Sequence, residues 1–501
     1  MLSFLILFPL IGAIIIYLGE SIYNHTTRMK IALITAGINF IISIILLIQF
    51  DENTAQFQFV EDWGSLFNGG LCHLIIGVDG ISLFFIILIT FLTIPIILTP
   101  PYKGKSPITY LLTILILESI LIAVFVVLDL LLFYICFEII LIPMFIIIIK
   151  WGSNKKRKIL AAYQFFLYTL LGSLFMLIGI LIIYYQTGTT DYQYLLGSVI
   201  SENIIFAREN ILWLTFFLSF AVKLPMFPFV NWLYAAHTEA PTGGSMLLAG
   251  ILLKLAGYGF LRYSITLFPN STEHFSTLVL TIATISIIYS SLSCLRQIDI
   301  KTIIAYSSVA HMNICILGIF SNNLKAIEGA IFMMISHGIV SAALFFSIGL
   351  LYDRTGTRIL KYYRGLTILM PLFSLFFFIL ILSNMAVPGT SGFIGEFLCL
   401  YGIFIKNPSI GFLSSISIIL GASFNIWLTN RLLFGSTSKY FDSYNDLTRR
   451  EFTILFPFIL LSILLGLFPN IILNILHLSC SSLIKLYSLL LLNSIIIINH
   501  Y

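Results

Sequence analysis

Apolar runs of about twenty residues recur along this chain, and they decide what it can fold into. They fall at 2–18, 29–49, 78–98, 108–127, 130–149, 161–185, 211–237, 242–264, 274–294, 300–320, 326–351, 366–406, 411–434 and 452–471. A run of that length crosses the hydrocarbon core of a bilayer as a helix. Only 9% of the residues are charged, against about 25% in a soluble domain, so no aqueous fold fits. The expected fold is an all-α polytopic membrane protein of about 14 spans. The opening MLSFLILFPLIGAIIIYL has neither a basic leader nor a small-residue cleavage site, and reads as span 1. A final apolar piece, 477–499, is either a further span or an interfacial segment, and Lys485 within it favours neither.

The basic residues test that count. Nineteen of the 26 Lys and Arg fall in loops after odd-numbered spans. Five (Arg208, Arg262, Lys325, Lys406 and Lys485) fall in even-numbered loops and the tail, and Lys223 and Lys254 lie within spans. A wrong span count would scramble this parity. Positive loops stay on the negative side of the membrane, so the loop KWGSNKKRKIL at 150–160 is expected on a matrix-like side.

Two spans are broken. Pro225 and Pro228 interrupt span 7, and Pro388–Gly389 interrupts span 12 within SNMAVPGTSGF. Each break lies in the fourth member of a five-span block, 4–8 and 9–13. Five is odd, so consecutive blocks run in opposite senses, the inverted-repeat pattern of transporters. The expected organisation is spans 1–3 over 1–107, a first repeat over 108–264, a second over 274–434, and a last span with an apolar tail over 452–501.

Lys223 sits beside the first break, and Lys254 lies about 18 Å into span 8. A cation at mid-depth costs about 2.5–3.5 kcal/mol on insertion scales and is normally there for function. Pro225 and Pro228 remove the donors to the carbonyls of Ala221 and Leu224, and loose backbone at that depth needs protein or a wet cavity around it. Lys223 is thus a proton- or ion-path residue, unless it snorkels to an interface. Lys254 is too far from either end to snorkel. His237 and Glu239, between the lysines, either join the path or cap the break.

The segments AVKLPMFPF, AAHTEAPTGGSMLLAGILLKLAGYGFLR and LRQIDIKTIIAYSSVAHMN resemble the antiporter-like proton-pumping subunits of respiratory complex I, in particular the chain 4 group. The likeness extends from about Gly77 to Gly435. It implies a subunit that couples NADH:ubiquinone oxidoreduction to proton translocation in the mitochondrial inner membrane, or less fittingly a bacterial plasma membrane. It implies proton-translocating roles for Glu138, Lys223, His237, Lys254, His311, His337 and Glu396, with Glu138 pairing with Lys223 and tuning it. His311 and His337 would lie between Lys254 and Glu396 on a hydrated axis. The glutamate at 396 favours chain 4, because sister subunits carry lysine there. One departure stands out: the family's second histidine, seven residues after the span-7 lysine, is Val230 here.

Glu118 in span 4 remains open, either a second carboxylate near Glu138 or a separate group. Asp129 is as readily a helix cap. The six cysteines are scattered with no C-x-x-C, which excludes an iron–sulfur or zinc site on spacing grounds. Phosphate-binding glycine patterns are missing, and the basic residues sit in membrane loops rather than on one nucleic-acid-binding face. No cofactor is expected in this chain; the resemblance puts NADH, FMN, iron–sulfur clusters and ubiquinone in partner subunits. Its expected partners are other complex I subunits, especially the neighbouring antiporter-like chains 2 and 5, and membrane lipids. The rival transporter reading is a subunit of a multisubunit cation/proton antiporter. A purely structural scaffold is disfavoured by so many ionisable groups at membrane depth.

Overall fold

A computed structural model describes residues 1–20, 22–65, 72–99, 107–200, 206–438, 440 and 444–498. Most apolar runs appear as helices close to their expected bounds. Helices α1 (Leu2–Leu18), α2 (His25–Gln49), α3 (Gly80–Leu98) and α4 (Pro107–Val126) pack as one N-terminal bundle. Span 5 is two helices, α5 (Leu130–Ile139) and α6 (Leu141–Trp151), and span 6 is the single helix α7 (Lys155–Thr187). Span 7 is α9 (Phe206–Lys223) and α10 (Asn231–Glu239), preceded by a short loop helix, α8 (Tyr192–Ile200). The break at 224–230 falls where the prolines place it.

Span 8 departs from a plain helix. It runs through α11 (Thr242–Leu247), a π-helical turn at Leu248–Leu252, α12 (Leu253–Gly259), a second π turn at Phe260–Ser264, and α13 (Ile265–Leu267). The second block follows with α14 (Pro269–Cys294), α15 (Ile300–Ile319) and α16 (Leu324–Thr355). After a 3-10 turn at Leu360–Tyr362 and the short α17 (Leu366–Leu369), span 12 is α18 (Pro371–Asn384) and α19 (Ser391–Lys406), broken at 385–390. Helices α20 (Pro408–Leu432), α21 (Arg449–Leu467) and α22 (Asn470–Ile498) complete the chain.

Burial sorts these helices. α15 is buried along its whole length, and the most apolar stretches of span 8 and α16 are buried throughout. By contrast α2, α20 and α21 bury only one face. A helix apolar all round belongs in the centre of the bundle, and these three central spans carry Lys254, His311 and His337. α16 and α19 approach closely where glycines leave room: a Cβ on Gly395 would lie 2.6 Å from that of Met333, and one on Gly329 would lie 2.4 Å from that of Leu398. Small residues at such crossings are the usual means of tight packing in membranes. In both blocks one unbroken helix lines both halves of the broken one, α7 against α9 and α10, and α16 against α18 and α19.

Two further features occupy one face, and the first is not helical. An antiparallel hairpin, β1 (Gln58–Ser65) and β2 (His73–Val78), pairs Glu61 with Ile76 and Asp62 with Ile75. It is anchored to the end of α4 by the Leu128 N–H, which donates to the Ile75 carbonyl at 3.0 Å. The second feature is α22. Ser479 Oγ accepts from the Gly80 N–H at 3.2 Å, His477 Nδ1 lies 2.6 Å from Glu328 Oε1, and the Tyr487 hydroxyl donates to Glu273 at 2.8 Å. Those partners stand near the starts of α3, α16 and α14, all odd-numbered spans entering from the same side. From His477 to Tyr487 α22 therefore runs across that face rather than along the bundle, which favours the interfacial alternative for the described part of 477–499.

Candidate functional site: a buried line of ionisable groups

Six of the seven expected residues are buried, and Glu138 is half-buried. Their contacts divide them into two sets. In the first block, Lys223 ends α9 and its Nζ donates to the Phe137 carbonyl at 3.0 Å, 3.6 Å from the centre of the Phe137 ring. No ion pair joins Lys223 to Glu138 among the described residues, and Glu138 Oε1 has no hydrogen-bond partner among them. The expected pair is thus drawn as neighbours in an open arrangement, with the cation held by the backbone one residue before the carboxylate. The Phe137 ring face and carbonyl are the contacts that hold the cation there.

Around the first break the loosened backbone is bonded again. The Met226 N–H reaches the Ala221 carbonyl at 2.9 Å, Trp232 Nε1 donates to the Val222 carbonyl at 2.9 Å, and the Phe227 N–H donates to Ser286 Oγ at 2.8 Å. Val230, where the family's histidine would stand, is buried in apolar packing. His237 stacks flat on Phe345, ring centres 4.6 Å apart, with both ring nitrogens lacking partners among the described residues. It does not cap the break. Glu239 does serve as a local tie, since its Oε2 accepts from Ser153 Oγ at 2.8 Å and from the Asn154 N–H at 3.1 Å.

The second set is connected. Lys254 Nζ lies 2.8 Å from His337 Nδ1 and also donates to the Ala249 carbonyl. The helix is continuous past Lys254, but a π turn lies beside it that the sequence does not show. The π turn at 248–252 shifts the helix pairing by one residue, and the carbonyl that Lys254 takes lies in that turn. The rings of His337 and His311 are 5.7 Å apart. His311 in turn lines a small cavity with Asn384, Met385, Glu396 and Ser417, at the second break. Both His311 nitrogens and Ser417 Oγ lack partners among the described residues, so the cavity wall is polar and available to water.

Among the buried groups that escaped the sequence reading are two cations, Arg262 and Lys301. Arg262, counted as a loop cation, lies in the second π turn and meets Asp79 at 2.6 Å, with both side chains buried. Lys301, counted in an odd loop, is buried in the first turn of α15 and donates to the Ala240 carbonyl at 2.6 Å. Beside it Arg358 donates to the Thr238 carbonyl and to Ser153 Oγ, so two cations of the second block hold the carbonyl end of α10. Cations at a helix C-terminus answer its partial negative charge. The signal was present for Arg262, which stands inside the apolar string GYGFLRYSITLF.

A family model described as NADH:quinone oxidoreductase/Mrp antiporter, TM, matches residues 127–421, both breaks included. NADH-ubiquinone oxidoreductase chain 4 of Marchantia polymorpha is 52% identical over 97% of both chains. Its counterparts in Arabidopsis thaliana and Mycosarcoma maydis are 51% and 48% identical over 97% of this chain. The chain belongs to the NADH-ubiquinone oxidoreductase chain 4 family. A chain of respiratory complex I from Thermus thermophilus superposes with a TM-score of 0.88 at 28% identity, covering 97% of this chain and all of that one. A chain of the Mrp complex from Dietzia shares the fold alone, with a TM-score of 0.84 at 16% identity over 98% of this chain and 99% of that one.

Proposed function

We propose that this chain 4 relative is a proton-translocating membrane-arm subunit of respiratory complex I in the mitochondrial inner membrane. In this reading NADH oxidation and ubiquinone reduction occur in partner subunits, which carry FMN and the iron–sulfur clusters. The chain adjoins the antiporter-like chains 2 and 5 and is otherwise bounded by lipid. Spans 4–8 and 9–13 act as its two inverted halves. The odd loops, including 150–160, face the matrix, and protease cutting that loop only from the opposite side would overturn the orientation.

The observation that carries the reading is the buried series Lys254, His337, His311 and the cavity holding Glu396. At 2.8 Å a proton can pass directly between Lys254 and His337. The His337 and His311 rings are 5.7 Å apart and His311 shares a cavity with Glu396, so bridging water carries the later steps. Lys223, with Glu138 at its side, feeds the series through His237. Opening and closing of the Glu138–Lys223 pair loads and releases the proton that enters the series. The matching family model covers complex I and Mrp antiporter subunits alike, but chain 4 relatives at about half identity span nearly the whole chain, whereas the Mrp chain shares the fold alone.

The test is Lys254→Met in the assembled complex. Proton pumping per NADH oxidised should fall by about tenfold or more, as expected when a proton-transfer group is lost. His237→Ala should cost less. Wild-type pumping in Lys254→Met would remove the line and leave isolated charges.

A further inference from the structure

Glu118, which the line does not use, lies on α4 with no exposed surface. Its surroundings are a polar seam in the N-terminal bundle. α2 presents Thr35, Asn39 and Ser43 four residues apart, all buried, and α3 presents Thr90 and Thr93. Asn39 Nδ2 donates to Glu118 Oε1 at 2.7 Å. The other oxygen, Glu118 Oε2, has no partner among the described residues, and neither has Asn39 Oδ1. These two orphan acceptors belong to the two groups already joined by one hydrogen bond.

The hydroxyl protons nearby are committed elsewhere. Thr93 donates to the Thr90 carbonyl at 2.9 Å, Thr90 to the Ile86 and Ile87 carbonyls at 3.1 Å, and Ser43 to the Phe40 carbonyl at 2.7 Å. Charged and titratable side chains on elements packed against α4 are Tyr17 on α1, His25, Arg28 and Lys30 at the start of α2, His73 on β2, Tyr134, Cys136 and Glu138 on α5, Lys150 on α6, and Lys254 and Tyr258 on α12. None of them forms an ion pair or hydrogen bond with Glu118 among the described residues. The Thr93 hydroxyl lies near the carboxyl but gives its proton to Thr90, so an ionised carboxylate so placed would be a buried charge with Asn39 as its one full donor and no counter-ion, a costly arrangement for this group.

We propose that Glu118 is a protonated carboxylic acid, held by Asn39 in a two-bond acid–amide ring. One proton on Oε2 satisfies both orphans at once: Oε2–H donates to Asn39 Oδ1 while Asn39 Nδ2–H donates to Oε1. The site's ligand is a fixed proton, off the Lys254–Glu396 series and independent of whether that series conducts. It ties α2 to α4 in mid-membrane, where an apolar bundle alone sets no register. Glu118 is thus not a second carboxylate of the Glu138 pair.

The test uses purified whole complex. The infrared difference between wild type and Glu118→Gln at pH 7 should contain the carbonyl stretch of a carboxylic acid, shifted by deuterium. Glutamine can form the same ring with Asn39, so Glu118→Gln should assemble and turn over within about twofold of wild type. Asn39→Leu strips the acid of its partner and should lower the yield of assembled complex several-fold. Asn39→Leu with Glu118→Leu should recover much of that yield, because replacing both partners by apolar groups leaves nothing unpaired. Carboxylate bands in place of the acid band would overturn the proposal. So would a Glu118→Gln complex that assembles but has lost pumping, which would make Glu118 a carrier of protons, or a double variant no better than Asn39→Leu.

Discussion

The two broken helices begin alike and end differently. At 224–230 the loosened groups find partners: Met226 on Ala221, Trp232 on Val222, Phe227 on Ser286, Lys223 on Phe137. At 385–390 the backbone is bonded too, Val387 on Leu382 and Thr390 on Val387, with Ala386 at φ +56° and Gly389 at φ +91° shaping the turn, but Met385 at its start lines the cavity of His311, Asn384, Glu396 and Ser417. Proline removes a donor in both places, but neighbouring helices decide the outcome. Where an indole and a serine hydroxyl are at hand the break is sealed. Where histidine, asparagine and a carboxyl converge it stays polar. In the proposed pump the first break is a hinge for one lysine, and the second is a wet terminus.

The largest effect should therefore come from the second break. Glu396→Gln removes its titratable end and should cut pumping by about tenfold or more in an assembled complex. Equal pumping in that variant would erase the contrast. Next is Glu138→Gln, which removes the charge that biases Lys223. Quinone reductase activity and pumping should fall together, several-fold, with assembly intact, whereas normal turnover and pumping would reduce the pair to packing. Asn384→Leu should come third: it keeps the fold of the turn but dries one wall of the cavity, slowing pumping by about threefold through lost water bridges.

Much of this contrast was legible beforehand, and the unread part has physical causes. Proline positions mark both breaks because a missing N–H is a local property of sequence. Lys254, His311 and His337 stand out because charge and imidazole are costly inside apolar runs. The π turns flanking Lys254 are not legible, since LAGIL and FLRYS are ordinary helical strings and only tertiary packing shifts their pairing. Arg262 and Lys301 were assigned to loops because both lie within a turn or two of a span's end, where hydropathy cannot separate a buried cation from a wet one. The course of α22 was undecidable for a related reason. Its composition suits a span, and only His477, Ser479 and Tyr487 meeting three helix starts favour a course across the face. The choice between a sealed and an open break is likewise written in Trp232, Ser286 and Asn425, whose Oδ1 accepts from Asn384 Nδ2 at 3.1 Å, residues whose reach no periodicity reports.

Trp232→Phe probes the sealed break with the smallest change. Phenylalanine keeps an aromatic body against Phe165, whose ring centre lies 5.5 Å from that of Trp232, so little apolar packing is lost. What goes is the indole N–H, leaving the Val222 carbonyl, one residue before Lys223, without that donor. Losing a hydrogen bond to a buried carbonyl costs about 1–3 kcal/mol, and the cost falls on the hinge, not on the line beyond it. The assembled complex should lose heat stability slightly while pumping per NADH stays near wild type. If instead pumping falls as far as in Asn384→Leu, the first break conducts as the second does, and the distinction between a sealed hinge and a wet terminus fails.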